Sequence, residues 1–459
     1  MTQTFDAIVI GTGQSGPALA VRLGAAGRKV AILERSRFGG TCVNTGCIPT
    51  KALVASAYAA HLAARAEDYG VMIDTPARVD MQRVKARKDK IAGDASRNVE
   101  KWLRGASNVT VIEGHARFAS ATTVGVGGEV LEAHQIFINV GARAMVPPIP
   151  GLDGVEYLTN SSIMDVNAVP AHLVIVGGSY IGLEFAQMYR RFGARVTVIE
   201  KGEEIISRED PEVSQAIRAI LGKEGVAFEC GFDTMSVSGG ADGIAVKIER
   251  KGGATTVKGS HLLVAVGRVP NTDDLGLDKA GIKTDSRGYV EVDDRLATSV
   301  QGVWAIGDCN GRGAFTHTSY NDYEIVADNL LEGDSRSVRD RITTYGLFID
   351  PPLGRAGMTD AEIRKSGRRA LVGRRPMSRV GRAIEKGETE GFMKITVDAD
   401  TKEILGAALL GTGADEAIHC ILDTMYAKAP YTVLQRAVHI HPTVAELIPT
   451  LLGELAPMK

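Results

Sequence analysis

One unit of sequence occurs twice in this chain and restricts its architecture more than any other feature. Residues 5–34 and 172–200 each read as apolar strand, glycine-rich turn, helix, apolar strand and acidic residue. In the first copy Ala7-Ile8-Val9-Ile10 leads into Gly11-Thr12-Gly13-Gln14-Ser15-Gly16. A helical stretch from Pro17 to Ala26 follows, then Val30-Ala31-Ile32-Leu33, ending at Glu34. A short apolar run without polar alternation is what a strand covered on both faces requires. The G-x-G-x-x-G spacing in that setting is the fingerprint of a dinucleotide site. Gly11 permits the tight turn, Gly13 lets the backbone approach a pyrophosphate, and Gly16 lets helix and strand pack closely. The free N–H groups at the helix start favour the phosphates, and Glu34 can accept ribose hydroxyls. A glycine-rich turn in an unrelated α/β fold is the alternative; strand, helix and acid in order favour the nucleotide.

The second copy runs Leu173-Val174-Ile175-Val176, then Gly177-Gly178-Ser179-Tyr180-Ile181-Gly182, then Val196-Thr197-Val198-Ile199 ending at Glu200. Ser179 stands where the middle glycine would be, which costs closeness to a pyrophosphate. An acid at Glu200 favours the unphosphorylated ribose of NADH. Lys201 and Arg208 are near enough in sequence to meet a 2′-phosphate, although solvated surface charges are their default reading. Two nucleotide folds imply two nucleotides, and flavin with nicotinamide is the economical pair because a hydride must pass between them.

Between the copies lies Gly39-Gly40-Thr41-Cys42-Val43-Asn44-Thr45-Gly46-Cys47-Ile48-Pro49-Thr50-Lys51. In a regular helix a separation of five residues is about 7.5 Å along the axis, whereas a disulfide tolerates Cα separations up to roughly 7 Å. The pair can therefore close only if the first turn is distorted, a freedom Gly46 supplies. A helix N-terminus also stabilises a thiolate. A redox-active disulfide, half of a zinc site and two inert thiols are the possible readings. Zinc wants shorter spacing and a second Cys/His pair, so the adjacent nucleotide fold favours redox chemistry. Cys230, Cys309 and Cys420 are scattered and read as packing residues.

The remaining bulk properties narrow the setting. At 459 residues about three domains are expected. A formal charge of −2 offers no basic field for nucleic acid or an anionic membrane. No apolar run reaches the roughly 18 residues of a membrane span, and the N-terminus has no cationic lead of a signal peptide. Five cysteines in this length make no disulfide scaffold. The expectation is a cytoplasmic protein that binds neither nucleic acid nor membrane.

The segment GGTCVNTGCIPTK, with both nucleotide folds in this order, resembles the pyridine nucleotide–disulfide oxidoreductases, and the resemblance covers essentially the whole chain. That family includes glutathione reductase, dihydrolipoamide dehydrogenase and mercuric reductase. The resemblance implies an α/β fold with two Rossmann-like nucleotide-binding domains of three ββα layers and a C-terminal α+β dimerisation domain. The implied divisions are residues 1–148 and 271–340 for the FAD-binding part, 149–270 for the NAD(P)H-binding part and 341–459 for the dimer interface. Cys42 would be the interchange thiol that meets substrate and Cys47 the thiol lying against the flavin. Lys51 would sit by the flavin and pair with Glu184, and Tyr180 would cover the nicotinamide pocket until NADH or NADPH displaces it. No metal site is implied.

Further motifs fit the resemblance. Thr298 and the apolar strand Gln301–Ile306 ending at Gly307-Asp308 match a T…GD arrangement in which Asp308 accepts from the ribityl chain. Gly40, Thr41, Gly141 and Gly267 count among the cofactor contacts, the last two at the crossovers between units. His317 precedes the helical stretch Asn321 to Leu331, whose N-terminus would point at the flavin, and is a candidate pocket residue. In His439-Ile440-His441-Pro442-Thr443-Val444-Ala445-Glu446, Pro442 can begin a helix, which puts Glu446 about one turn on, able to orient His441. Such a pair shuttles protons near neutral pH. By the resemblance His441 reaches the disulfide of the other subunit, making a homodimer with a shared active site. The implied path takes hydride from NAD(P)H to FAD, then two electrons to the Cys42–Cys47 disulfide, then to an acceptor. The tail lacks the Cys pair that delivers mercury in mercuric reductase. Ser179, Arg208-Glu209-Asp210-Pro211 and Ala429–Leu434 resemble bacterial mercuric-reductase-like flavin reductases of the reactive-chlorine-resistance kind. The favoured acceptor is a metal ion or a small disulfide. Dihydrolipoamide dehydrogenase, supported by His439 and Glu200, and a non-catalytic redox-sensing flavoprotein are the alternatives.

Overall fold

The computed structural model describes residues 2–75, 77–240 and 243–458. A five-stranded parallel sheet organises the N-terminal unit, in the order Val303–Ala305, Gln135–Ile138, Ala7–Ile10, Val30–Glu34, Val109–Glu113. Successive side chains of a strand point to opposite faces, and both faces here are covered. Ile8 and Ile10 pack with Phe118, Val124 and Leu131 of a small second sheet, while Ala7 and Val9 pack with Leu19 and Leu23 of the helix Gly16–Ala25. This is why the run Ala7–Ile10 is apolar throughout.

The second unit repeats the plan. Its parallel sheet has the order Val226–Cys230, Arg195–Glu200, His172–Val176, His261–Val264. The helix Tyr180–Phe192 packs on one face, and the antiparallel sheet of Thr234–Gly240, Gly243–Arg250 and Gly253–Gly259 packs on the other. Ala142–Ala144 and Arg268–Pro270 pair antiparallel. The chain therefore leaves the first unit and returns to it side by side, and Val303–Ala305 completes the first sheet after the return. The C-terminal unit is a six-stranded antiparallel sheet carrying the helix Ala414–Tyr426. The architecture is thus the expected α/β one, two ββα nucleotide folds followed by an α+β unit. Among the described residues no helix is long and apolar enough to cross a membrane.

Three local expectations are corrected. The helix expected from Asn321 begins at Thr316, so His317 lies in its first turn. Its N-cap is Phe315, whose N–H is satisfied by the Thr318 hydroxyl at 3.1 Å, so the usual polar start signal is displaced by three residues. The strand expected over 301–306 spans only Val303–Ala305. Pro442 does not begin a helix: Thr443 Oγ1 donates to Ile440 O and accepts the Glu446 N–H, closing a turn, and the helix runs Leu447–Leu452.

Candidate active site

The two glycine-rich turns open onto one continuous cavity of about 2390 Å³, which also receives Cys42, Cys47, Asp308 and His317. Each turn is built from close backbone contacts. Gly11 has φ +104°, and a Cβ there would lie 2.4 Å from Asn139 O; a Cβ on Gly16 would lie 2.3 Å from Gly11 O. Gly177, at φ +113°, and Gly182 repeat the pattern, 2.4 Å from Ala265 O and 2.0 Å from Gly177 O. Glycine is demanded here by the protein's own backbone. Glu34 accepts from Thr12 N at 3.1 Å and Ser36 N at 2.9 Å, and Glu200 accepts from Gly178 N at 2.6 Å and Gly202 N at 2.9 Å. Both acids therefore hold the turn they follow while lining the cavity, whose wall Lys201 and Arg208 also form.

Asn139 is a residue the sequence reading missed. Its side chain accepts the Gly16 N–H at 2.9 Å and donates to Ile306 O at 3.0 Å, tying the turn to the strand that ends near Asp308. The signal was available: Asn139 is the polar residue closing the apolar run Ile136-Phe137-Ile138 just before Val140-Gly141.

The cysteine segment is drawn against the first turn by Gly40, where a Cβ would stand 2.9 Å from Gly13 Cα. One short helix spans Gly40–Asn44 and a second begins at Cys47 and runs to Ala64. The break falls at Thr45-Gly46, the distortion the pair needs. Both cysteines are free thiols here, with Cys42 hydrogen-bonded to Cys47. That bond from Cys42 is the main cause lowering the Cys47 thiol to about 6, against burial, with Thr316 and the charge of Lys51 acting in the same direction. Cys47 Sγ lies 3.2 Å from Thr316 Oγ1, a contact made by the start of the helix that was expected to begin later. The Cys42 thiol is pushed up by the same bond and by burial. At Gly46 a Cβ would meet Thr41 O at 2.9 Å and Cys42 Cα at 3.2 Å, both backbone. Gly46→Ala is expected to destabilise the flavin-loaded protein by about 1–3 kcal/mol, measured by thermal unfolding. An unchanged Tm would contradict this account of the break.

Lys51 Nζ lies 2.8 Å from Glu184 Oε2 and 4.5 Å from the Phe348 ring centroid, and the Phe348 N–H donates to Glu184 at 3.1 Å. A lysine after the cysteine pair thus meets a carboxylate on the helix after the second turn. Asp308 follows Gly307 (φ +76°) and lies 3.6 Å from Arg268 Nε; burial raises its carboxyl pKa. His317 Nε2 donates to Thr344 O at 2.8 Å, its ring stacks on Phe315, and burial lowers its pKa. Ser179, Tyr180, Gly141 and Gly267 also line the cavity. Thr41 lines it beside Cys42.

His441 Nδ1 lies 2.9 Å from Glu446 Oε2, forming the expected imidazole–carboxylate pair. The imidazole is 80% exposed, and neither residue is among those lining the cavity. Its other nitrogen is offered to the outside of its own chain. Cys309 is fully buried, with its thiol pushed up to about 12, and Cys230 and Cys420 are half-buried. His439 is half-buried, its Nδ1 3.3 Å from Ala437 O.

Two dinucleotide turns facing one cavity, with a thiol pair between them, define a two-nucleotide dithiol oxidoreductase. The comparisons agree: the chain belongs to the family described as pyridine nucleotide-disulphide oxidoreductase, which it matches over residues 5–322, with that family's dimerisation domain over residues 343–452. The enzyme is accordingly flavin-dependent and uses a nicotinamide nucleotide, and the C-terminal unit is a homodimerisation domain. It is 36% identical to the probable pyridine nucleotide-disulfide oxidoreductase RclA of Escherichia coli, covering 96% of this chain and 97% of that one. It is 34% identical to a dihydrolipoyl dehydrogenase of Cupriavidus necator (98% and 97% covered) and 33% to a mercuric reductase of Streptomyces lividans (97% and 94%). Among solved structures it is similar to the Cu(II) complex of the HOCl-induced flavoprotein disulfide reductase RclA from Escherichia coli, with TM-score 0.89, 34% identity and coverage of 98% and 99%.

Proposed function

We propose that this enzyme uses NADH to reduce a Cys42–Cys47 disulfide and that the resulting dithiol reduces a metal ion or a small disulfide. The observation that carries the reading is the placement of Cys47, with its low thiol pKa, in the same cavity as both glycine-rich turns and beside the Lys51–Glu184 pair. The cradle fits FAD: a Cβ on Gly141 would meet nothing within 4 Å, and the first turn, Gly141 and Asp308 line the same open space. Bound FAD supplies a two-electron carrier that accepts hydride from a nicotinamide and can reduce a disulfide.

The chain's own groups do the rest. The first turn and Glu34 hold the adenosine end of the flavin nucleotide, and the second turn and Glu200 hold NADH. Tyr180 covers the nicotinamide position, and Lys51, fixed by Glu184, keeps a cation beside Cys47. Cys42 attacks as the thiolate, giving up its proton to the imidazole of His441. When its sulfur displaces one thiolate from a small disulfide, Cys47 then displaces the second. Two electrons leave, the Cys42–Cys47 bond reforms, and the two product thiols take the one proton the pair held and one from solvent. For a metal acceptor the same two electrons reduce one Hg(II) to Hg(0) or two Cu(II) to two Cu(I) as the Cys42–Cys47 bond reforms. His441, oriented through Nδ1 by Glu446, receives and returns the proton from across a dimer in which each site is shared. This chemistry suits the cytoplasm, where the nicotinamide pool lies and the other three cysteines stay reduced.

A metal acceptor is favoured because a similar chain has been solved as a Cu(II) complex. The test is steady-state turnover of FAD-loaded protein with NADH and NADPH against Cu(II), Hg(II), glutathione disulfide and lipoamide. Turnover with a metal ion or small disulfide is expected. Because Glu200 repels a 2′-phosphate, kcat/KM for NADH is expected to exceed that for NADPH by at least about tenfold, and Glu200→Gln should narrow the gap. Rapid reduction of NAD+ by dihydrolipoamide with no metal turnover would replace this reading by dihydrolipoamide dehydrogenase.

A further inference from the structure

The ring that faces Tyr180 belongs to another unit of the fold. Tyr345 lies on the edge strand Thr344–Leu347 of the C-terminal sheet. It meets Tyr180 edge-on, with centroids 5.4 Å apart and planes at 73°, and stacks on Phe315 at 5.7 Å and 15°. Tyr180 also meets Phe315 edge-on at 5.9 Å, so three rings from three stretches of chain form a closed triangle on the cavity wall.

This triangle is anchored from behind. The Tyr345 hydroxyl donates to Glu209 Oε1. Glu209 Oε2 lies 2.8 Å from Arg355, and the two side chains are 0% and 1% exposed. Arg355 also lies 3.0 Å from Asp210, which takes Lys394 Nζ at 2.7 Å, and Lys394 reaches Glu212 at 2.7 Å and Asp360 at 3.0 Å. Asp210, Glu212 and Asp360 converge closely enough to hold a metal ion, but Lys394 already stands among them as the cation. Charges buried this way are costly to separate, so the network joins the nicotinamide unit to the C-terminal sheet in one geometry. Burial and Glu209 push the Tyr345 phenol well above its ordinary range, so it remains a donor.

We propose that Tyr345, held by Glu209 and Arg355, is the positioning residue that sets how readily Tyr180 leaves the nicotinamide pocket. The inference rests on the reading above only in that Tyr180 lies where NADH must enter. An incoming nicotinamide has to break the Tyr180–Tyr345 contact, and an aromatic pair of this kind is worth about two- to tenfold in an equilibrium constant beyond its buried area. The brace therefore weakens NADH binding in exchange for a covered site.

The test is anaerobic stopped-flow bleaching of the FAD-loaded enzyme by NADH, read as an apparent Kd and a limiting rate. Tyr345→Leu is expected to lower the apparent Kd about fivefold and leave the limiting rate within about twofold. Tyr345→Phe, which keeps the ring, should restore most of the wild-type value, and Glu209→Gln should fall between. In a Tyr180→Leu background, Tyr345→Leu should add nothing, because the contact is already gone. An unchanged or raised Kd in Tyr345→Leu, with Tyr180→Leu alone lowering it, would overturn the brace while sparing the role of Tyr180. So would an undiminished Tyr345→Leu effect in the Tyr180→Leu background. An unchanged Kd in Tyr180→Leu alone would remove the covering role of Tyr180, and the brace with it. Neither readout depends on the cysteine pair or the acceptor. If Tyr345→Leu fails to retain flavin, Glu209→Gln carries the test alone, and an unchanged Kd there counts against the brace.

Discussion

Cys42→Ser is expected to lower NADH-dependent acceptor reduction by at least about a hundredfold while the protein still binds FAD and is still bleached by NADH. Cys42 lines the cavity beside Cys47, and its thiol is pushed up by the hydrogen bond to Cys47 and by burial. Serine at that position keeps the hydrogen bond to Cys47 but cannot form the sulfur–sulfur bond. Cys47→Ser should be equally inactive with the acceptor, and should also abolish the thiolate that the wild-type dithiol forms above about pH 6. The sign follows from the lowered pKa: the charge is present above it and is lost as pH falls through it. In the reduced wild-type enzyme, thiolate absorbance at 240 nm should rise across that range and be flat in Cys47→Ser. Acceptor turnover within a few-fold of wild type after loss of either sulfur would refute the role of the pair.

The second large effect concerns His441. Removing a positioned acid–base group costs about 10²–10⁴ in rate, and His441→Ala should fall in that range with bleaching by NADH preserved. The imidazole is 80% exposed on its own chain and outside its own cavity, which is what a group serving a neighbour requires. Mixed dimers separate the alternatives. A dimer of one Cys42→Ser subunit and one His441→Ala subunit contains one site with both defects and one site with neither, if the site is shared. Random mixing of the two inactive proteins should then recover about a quarter of wild-type turnover. Recovery of none would place His441 in the service of its own chain or of no site.

The parts of the fold that could be read were those whose sequence pattern is set by burial on two faces. Ala7–Ile10 and His172–Val176 have no alternation because helices cover one side of each sheet and a small sheet the other. The break at Thr45-Gly46 was legible because helix geometry and disulfide reach disagree. The start of the helix at Thr316 was not, because its cap residue is Phe315 and the satisfying hydroxyl sits at Thr318, inside the helix. Pro442 misled for a related reason: Thr443 closes a turn where the proline alone suggested a helix start. Lys51 and Glu184 are 133 positions apart, and only the resemblance suggested the pair whose oxygen and nitrogen stand 2.8 Å apart. The link from Glu209 to Tyr345 spans 136 positions and two units, and no local pattern announces it.

Anaerobic reductive titration measures most directly whether electrons leave the flavin for the two sulfurs. Each dithionite equivalent delivers two electrons, enough for either the flavin or one disulfide. Wild-type enzyme should consume two equivalents per bound FAD before reduction is complete, and Cys42→Ser should consume one. A wild-type endpoint at a single equivalent, from protein isolated with Cys42 and Cys47 oxidised, would contradict the account.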